Sequence, residues 1–263
     1  MYYADVMDKL ATLIQSLGDK DLAVLQLLDD FHYAYGSQLQ RLYFTTGTAT
    51  AMTRSRNRLL ARLTDAKLIH RYPRRRFPGN PFEHIYTLAY VGQRVMNKIR
   101  GFERPMLSLA RTTNHFEHVL EVTELHVQLN ELDHSGAIRL LASEAEPTCH
   151  RPYTAYRVLK PDYYVKYRAK RDGRLFEDQW FVEIERSRQG AASTLAKVHA
   201  YTTYMKLLSA SQVMPRVLFV CYSEAHRAHL ERLLDRNVEQ HNRDLFAAVL
   251  NTNTLGFIVP SAA

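Results

Sequence analysis

Along the first hundred positions apolar residues recur at helical spacing, then give way to short alternating runs. In DKDLAVLQLLDDF, Leu22, Leu25, Leu28 and Phe31 each fall three residues apart, which predicts an amphipathic helix with Asp19 as its N-cap. A break at Tyr35-Gly36 precedes SQLQRLYF, a second short helix with Leu39, Leu42 and Tyr43 inward. After TTGT, Thr48 or Thr50 caps a longer helix reaching Leu68, with Met52, Leu59, Leu60 and Leu63 facing in. Two strands, Leu68 to Tyr72 and His84 to Tyr90, then flank the loop PRRRFPGNP. A helix from Val91 to Arg100 closes this half.

Gly and Pro in GFERPMLSLAR (Gly101 to Arg111) interrupt the pattern and predict a linker. Beyond it the pattern predicts a helix over His115 to Leu132 and a strand over Ala137 to Ala142. Strands Lys160 to Lys170 and Arg174 to Glu185 follow, then a helix over Ala191 to Leu208. A strand over Arg216 to Tyr222, a helix over His226 to Val238 and a last short strand over Leu255 to Val259 complete the chain. The almost wholly apolar RVLFVCY after a helix points to a mixed sheet covered on both faces. The expected class is α/β, α+β overall, with domains over 1–100 and 112–263 joined by the linker 101–111.

Charge sharpens the first half. The 263-residue chain carries a net charge of +8. Arg54, Arg56, Arg58, Arg62, Lys67, Arg71, Arg74, Arg75 and Arg76 oppose the single acid Asp65 in one short window, which therefore holds the entire excess. Arg54, Arg58 and Arg62 repeat every four residues and project as one row. Three helices followed by a two-stranded ribbon with a basic tip read as a winged helix-turn-helix, whose third helix enters the major groove while the wing lies on phosphates. Double-stranded DNA is the expected partner, through Arg54, Arg56, Arg58, Arg62, Arg74, Arg75 and Arg76. A merely solvated helix face is the alternative, and base reading along helix 48–68 stays open. No apolar run approaches the ~20 residues of a membrane-spanning helix. Two cysteines, Cys149 and Cys221, outside any CxxC pair, and an N-terminus without a leader pattern predict a cytoplasmic protein.

The stretch QWFVEIERS carries the candidate chemistry. Alternation puts Glu183 and Glu185 on one face of a strand and Val182 and Ile184 on the other. Asp172-Gly173 is a strong two-residue hairpin signal. With those residues as the loop, Asp162 falls opposite Glu183, Glu185 opposite Lys160, Tyr163 opposite Val182, Val165 opposite Trp180 and Ala169 opposite Phe176. Carboxylates facing each other repel, and a hard divalent ion such as Mg²⁺ between Asp162 and Glu183 would reverse that interaction. Neutralisation by Lys160, Lys166 or Arg186 is the structural alternative, and a bulge would shift the register.

Pro161-Asp162, then Glu183-Ile184-Glu185, then a helix bearing Lys197, resemble the core of PD-(D/E)XK nuclease-like domains. Nearly the whole chain from Asp19 onward resembles the replication-relaxation family of plasmid and mobile-element proteins, which join a winged helix to such a domain. The residues that carry this are Leu159-Lys160-Pro161-Asp162, Phe181-Val182-Glu183-Ile184-Glu185-Arg186, and Leu195-Ala196-Lys197 with Tyr201. The resemblance implies a DNA-binding protein of replication or DNA relaxation, with Asp162, Glu183, Glu185 and Lys197 as catalytic candidates and Asp162 and Glu183 as Mg²⁺ ligands. Glu124 or Glu121 would supply a further helix acid, and Arg186 would contact phosphate or lock Glu185. Nuclease-active members usually carry lysine where this chain has Glu185, though some carry glutamate as base or ligand, so two alternatives stand beside the first reading. One is an active Mg²⁺-dependent endonuclease or nickase, and the other a pseudo-nuclease serving as a platform for replication or conjugation proteins. A homo-oligomer is left open. The histidine pairs His115/His118 and His226/His229 lack further ligands of suitable spacing, so zinc is not expected.

Overall fold

The spacing in DKDLAVLQLLDDF becomes helix α1 (Asp19–Phe31), whose Val24, Leu25, Leu27, Leu28 and Phe31 are buried. This computed structural model describes residues 10–74, 82–104, 113–171, 173–186, 191–209 and 211–260. The N-cap of α1 is Gly18 rather than Asp19. The Asp21 carboxylate accepts the Gly18 amide at 3.0 Å, closing the helix start from within its first turn. Strand β1 (Ala34–Tyr35), α2 (Gly36–Tyr43), α3 (Ala49–Asp65), β2 (Ile69–Arg71), β3 (Ile85–Leu88) and α4 (Tyr90–Arg100) follow. Thr48 caps α3, its hydroxyl accepting the Ala51 amide at 3.3 Å, while Leu60 and Leu63 turn inward. The ribbon expected as two strands has a third: β1 pairs antiparallel with β3, giving the order β1-β3-β2. Two residues are too few to display a strand period. Gly92 lets α4 press against the turn between α3 and β2, since a Cβ there would lie 2.0 Å from the Leu68 carbonyl oxygen.

Two compact units meet in sequence between Val127 and Gln128, inside helix α5 (Thr113–His134). The expected linker is described only as far as Arg104. The second unit contains β4 (Arg139–Ala145), a hairpin of β5 (Arg151–Thr154) and β6 (Arg157–Leu159), then β7 (Tyr163–Arg171) and β8 (Arg174–Glu185). Helix α6 (Ala191–Leu207), β9 (Arg216–Cys221), α7 (Glu224–Asn237), β10 (Phe246–Leu250) and α8 (Thr254–Ile258) complete it. The five-stranded sheet runs β10-β9-β8-β7-β4. Its β4, β7 and β8 are antiparallel, and β8, β9 and β10 are parallel. Each parallel step needs a crossover, and α6 and α7 supply them. Val198 and Tyr201 of α6 and Leu230 and Leu234 of α7 pack with Phe181, Val217, Phe219 and Phe246 of the sheet.

Three expectations change here. The last segment is helix α8, not a strand: a five-residue apolar run has no period that separates the two. Strand β10 was missed because FAAVL is rich in alanine, a helix former, and only pairing with β9 makes it a strand. The β5–β6 hairpin was missed as well.

Candidate functional site

The arginines of the first unit fall into two groups. Arg54 and Arg58 on α3 are exposed and make no hydrogen bond or ion pair with any described residue. Arg74 is exposed too, and Arg75 and Arg76 lie outside the described residues. Arg56 donates to its neighbour Asn57 at 3.1 and 2.8 Å. Arg62, expected in the outward row, instead reaches Asp21 at 2.5 Å and ties α3 to α1. Arg41 is engaged with Glu124 at 2.6 Å and Arg100 with Asp30 at 2.5 Å. Glu124, which the resemblance offered as a further acid of the catalytic set, is thus bound by Arg41 and by Gln38 at 3.1 Å within the first unit.

In the second unit the β7–β8 hairpin runs in the register that an Asp172-Gly173 turn dictates. Tyr163 pairs with Val182, Val165 with Trp180 and Ala169 with Phe176. Gly173 has φ +75°, the left-handed conformation the turn requires. The ladder stops at Tyr163, and Asp162 continues it with its side chain: Oδ2 accepts the Ile184 amide at 2.6 Å. Glu183 is 2% exposed and Glu185 fully buried. Helix α6 lays Lys197 and Tyr201, one turn apart and so on one face, over these acids. Lys197 Nζ donates to Glu183 Oε2 at 2.8 Å and to Glu185 Oε1 at 2.6 Å. Tyr201 Oη donates to Glu183 Oε1. Among the described residues nothing bonds Glu185 Oε2, although it is buried.

Burial pulls the Lys197 ammonium down, but the charges of Glu183, Asp162 and Glu185 outweigh it and hold its pKa above the ordinary value. Burial, followed by the charge of Asp162, pushes the Glu183 carboxyl up to about 8 against the opposing pull of Lys197. Burial and the Glu183 charge likewise raise the Tyr201 phenol, which keeps it a donor. Lys197, which was not among the three cations expected to neutralise the acids, holds both Glu183 and Glu185; of those three, Lys166 pairs with Glu177 at 2.6 Å and Arg186 lies over Tyr222 at 4.9 Å.

A divalent ion is what the resemblance implies for Asp162 and Glu183. The donors as arranged do not fit one. Both oxygens of Glu183 and one of Glu185 are taken by Lys197 and Tyr201, and Asp162 Oδ2 holds an amide. Among the described residues no group of three or more His, Cys, Asp or Glu side chains is placed to hold a metal.

The sequence profile of the replication-relaxation family matches residues 25–217. The chain belongs to the replication-relaxation family. The matched stretch runs from α1 into β9, so this member's arginine face and its Asp162–Glu183–Glu185–Lys197 centre both lie inside the family's common region. No curated protein and no solved structure matches it. No described helix is long and apolar enough to cross a membrane. Two of this member's contacts escaped sequence reasoning. The Ile184 amide on Asp162 carries no sequence signal, and Asp21, 41 residues from Arg62, reads only as a helix-start acid.

Proposed function

We propose that this replication-relaxation protein binds duplex DNA and acts in the replication or relaxation of a plasmid or mobile element. The first unit is read as a winged helix, with α3 presented to the major groove and the segment between β2 and β3 to the backbone. The observation that carries this is the pair Arg54 and Arg58, exposed side by side without a partner among the described residues while Arg41, Arg62 and Arg100 are engaged. Unengaged cations at helical spacing match a polyanion that releases counterions on binding. The second unit is read as nuclease-like, from the Asp162, Glu183-x-Glu185 and helix Lys197 arrangement. The test is fluorescence anisotropy with a labelled duplex across a salt series. Arg54→Ala/Arg58→Ala should bind roughly tenfold or more weakly at low salt, with the log–log salt slope reduced by about 2. Equal affinity and slope would overturn the reading.

A second reading, hydrolysis of DNA by the second unit, is favoured by one observation. Glu185 Oε2 is a buried acceptor without a partner among the described residues, beside two further acids and an ammonium. It predicts nicking of supercoiled plasmid that disappears in Asp162→Ala. Plasmid that stays supercoiled with Mg²⁺ present returns the site to the first reading.

A further inference from the structure

We propose that Lys197 is the resident cation of the carboxylate centre, closing it to divalent ions, and that removal of its charge lets an ion take its place between Glu183 and Glu185. The inference deepens the nuclease-like reading of the second unit and is independent of DNA binding by the first. Three observations carry it. Nζ stands 2.8 and 2.6 Å from oxygens of two different carboxylates, as a shared cation would. Those carboxylates are 2% and 0% exposed, so neither gains neutralisation from water. Glu185 Oε2 is buried and left without a partner among the described residues, so one ammonium does not saturate the acids.

The surrounding groups fix where a replacement ion would sit. Tyr201 holds Glu183 from the far oxygen, and the Ile184 amide holds Asp162, so two of the three acids stay oriented when Lys197 is shortened or made apolar. Lys197 retains 27% side-chain exposure, which gives an ion a path from solvent. An ammonium brings one positive charge to acids that outnumber it. A hard divalent ion brings two and takes carboxylate oxygens at about 2.0–2.6 Å, closer than an ammonium approaches. The occupant of the centre is a helix side chain rather than a solute.

The experiment uses the full chain, Mn²⁺ alone as probe, and two readouts: the electron paramagnetic resonance signal of free Mn²⁺ and the thermal unfolding midpoint. Wild type should leave the free-ion signal undiminished at millimolar Mn²⁺ and show no midpoint shift. Lys197→Met should deplete the signal and gain on the order of 5 °C once Mn²⁺ is about 100-fold above its dissociation constant. Glu183→Gln in the Lys197→Met background should abolish both effects. Mn²⁺ binding by wild type that is lost in Glu183→Gln overturns the inference, whatever the folding of the other variants. A Lys197→Met protein with no Mn²⁺-dependent stabilisation, folded or not, also overturns it. Loss of DNA binding in the arginine variants bears on neither result, so failure here and failure of the DNA reading are separable.

Discussion

The two units handle charge in opposite ways. On α3, Arg54 and Arg58 stand in water with no engaged partner among the described residues. In the β7–β8 centre, Glu183 and Glu185 are buried and share one ammonium, with a phenol on Glu183. Solvated cations contribute little to stability and stay available to a ligand. Buried carboxylates must be compensated inside the fold, and their partners are then committed to structure. Arg62 shows that position along a helix does not decide which group a residue joins. It repeats the spacing of Arg54 and Arg58, yet it faces Asp21, which is 3% exposed.

Breaking the buried half should have the largest effect. Lys197→Ala leaves Glu183 and Glu185 without their cation, and urea unfolding should report a loss of roughly 3 kcal/mol or more. Simultaneous Glu183→Gln and Glu185→Gln should recover part of it, because fewer buried charges then need a partner. An unchanged unfolding midpoint would mean that the contact contributes nothing to the fold.

Acidity sharpens the same contrast. Glu183 holds its proton to higher pH in the folded chain than in the unfolded one, where the ordinary value is 4.5. Its contribution to stability is complete below about 4.5 and fades as pH rises toward about 8. Across that window stability should fall as pH rises, and Glu183→Gln should flatten the slope. Urea midpoints measured across the window check this. Stability that rises over the same window would contradict the assignment.

Smaller changes are expected on the first unit. Gly92→Ala drives a methyl group toward the Leu68 carbonyl and should cost about 1–3 kcal/mol by thermal unfolding. Arg62→Ala should cost about 1 kcal/mol of stability while weakening duplex binding less than Arg58→Ala does. Equal losses of DNA affinity would place Arg62, whose side chain is 54% exposed, with Arg54 and Arg58.

Much of this was legible in the residue order, for reasons that can be named. The hairpin register followed from Asp172-Gly173, because a two-residue loop leaves only one way to pair the flanking strands. Helices α1 and α3 followed from leucine spacing and from a threonine cap. Lys197 and Tyr201 were visible as a helix pair after the acids, though not as the groups that neutralise them, because bond formation depends on how α6 lies on the sheet. Strand β10 and the Asp21–Arg62 contact were not legible: pairing partners far apart in sequence decide both.

The most direct test of the central claim places a photo-crosslinking side chain at Ser55 on the exposed turn of α3, and separately at Ala196 on α6, in the full-length protein with labelled duplex DNA. The account predicts crosslinks from Ser55 that disappear as salt rises. Duplex captured from Ala196 with none from Ser55 would contradict it.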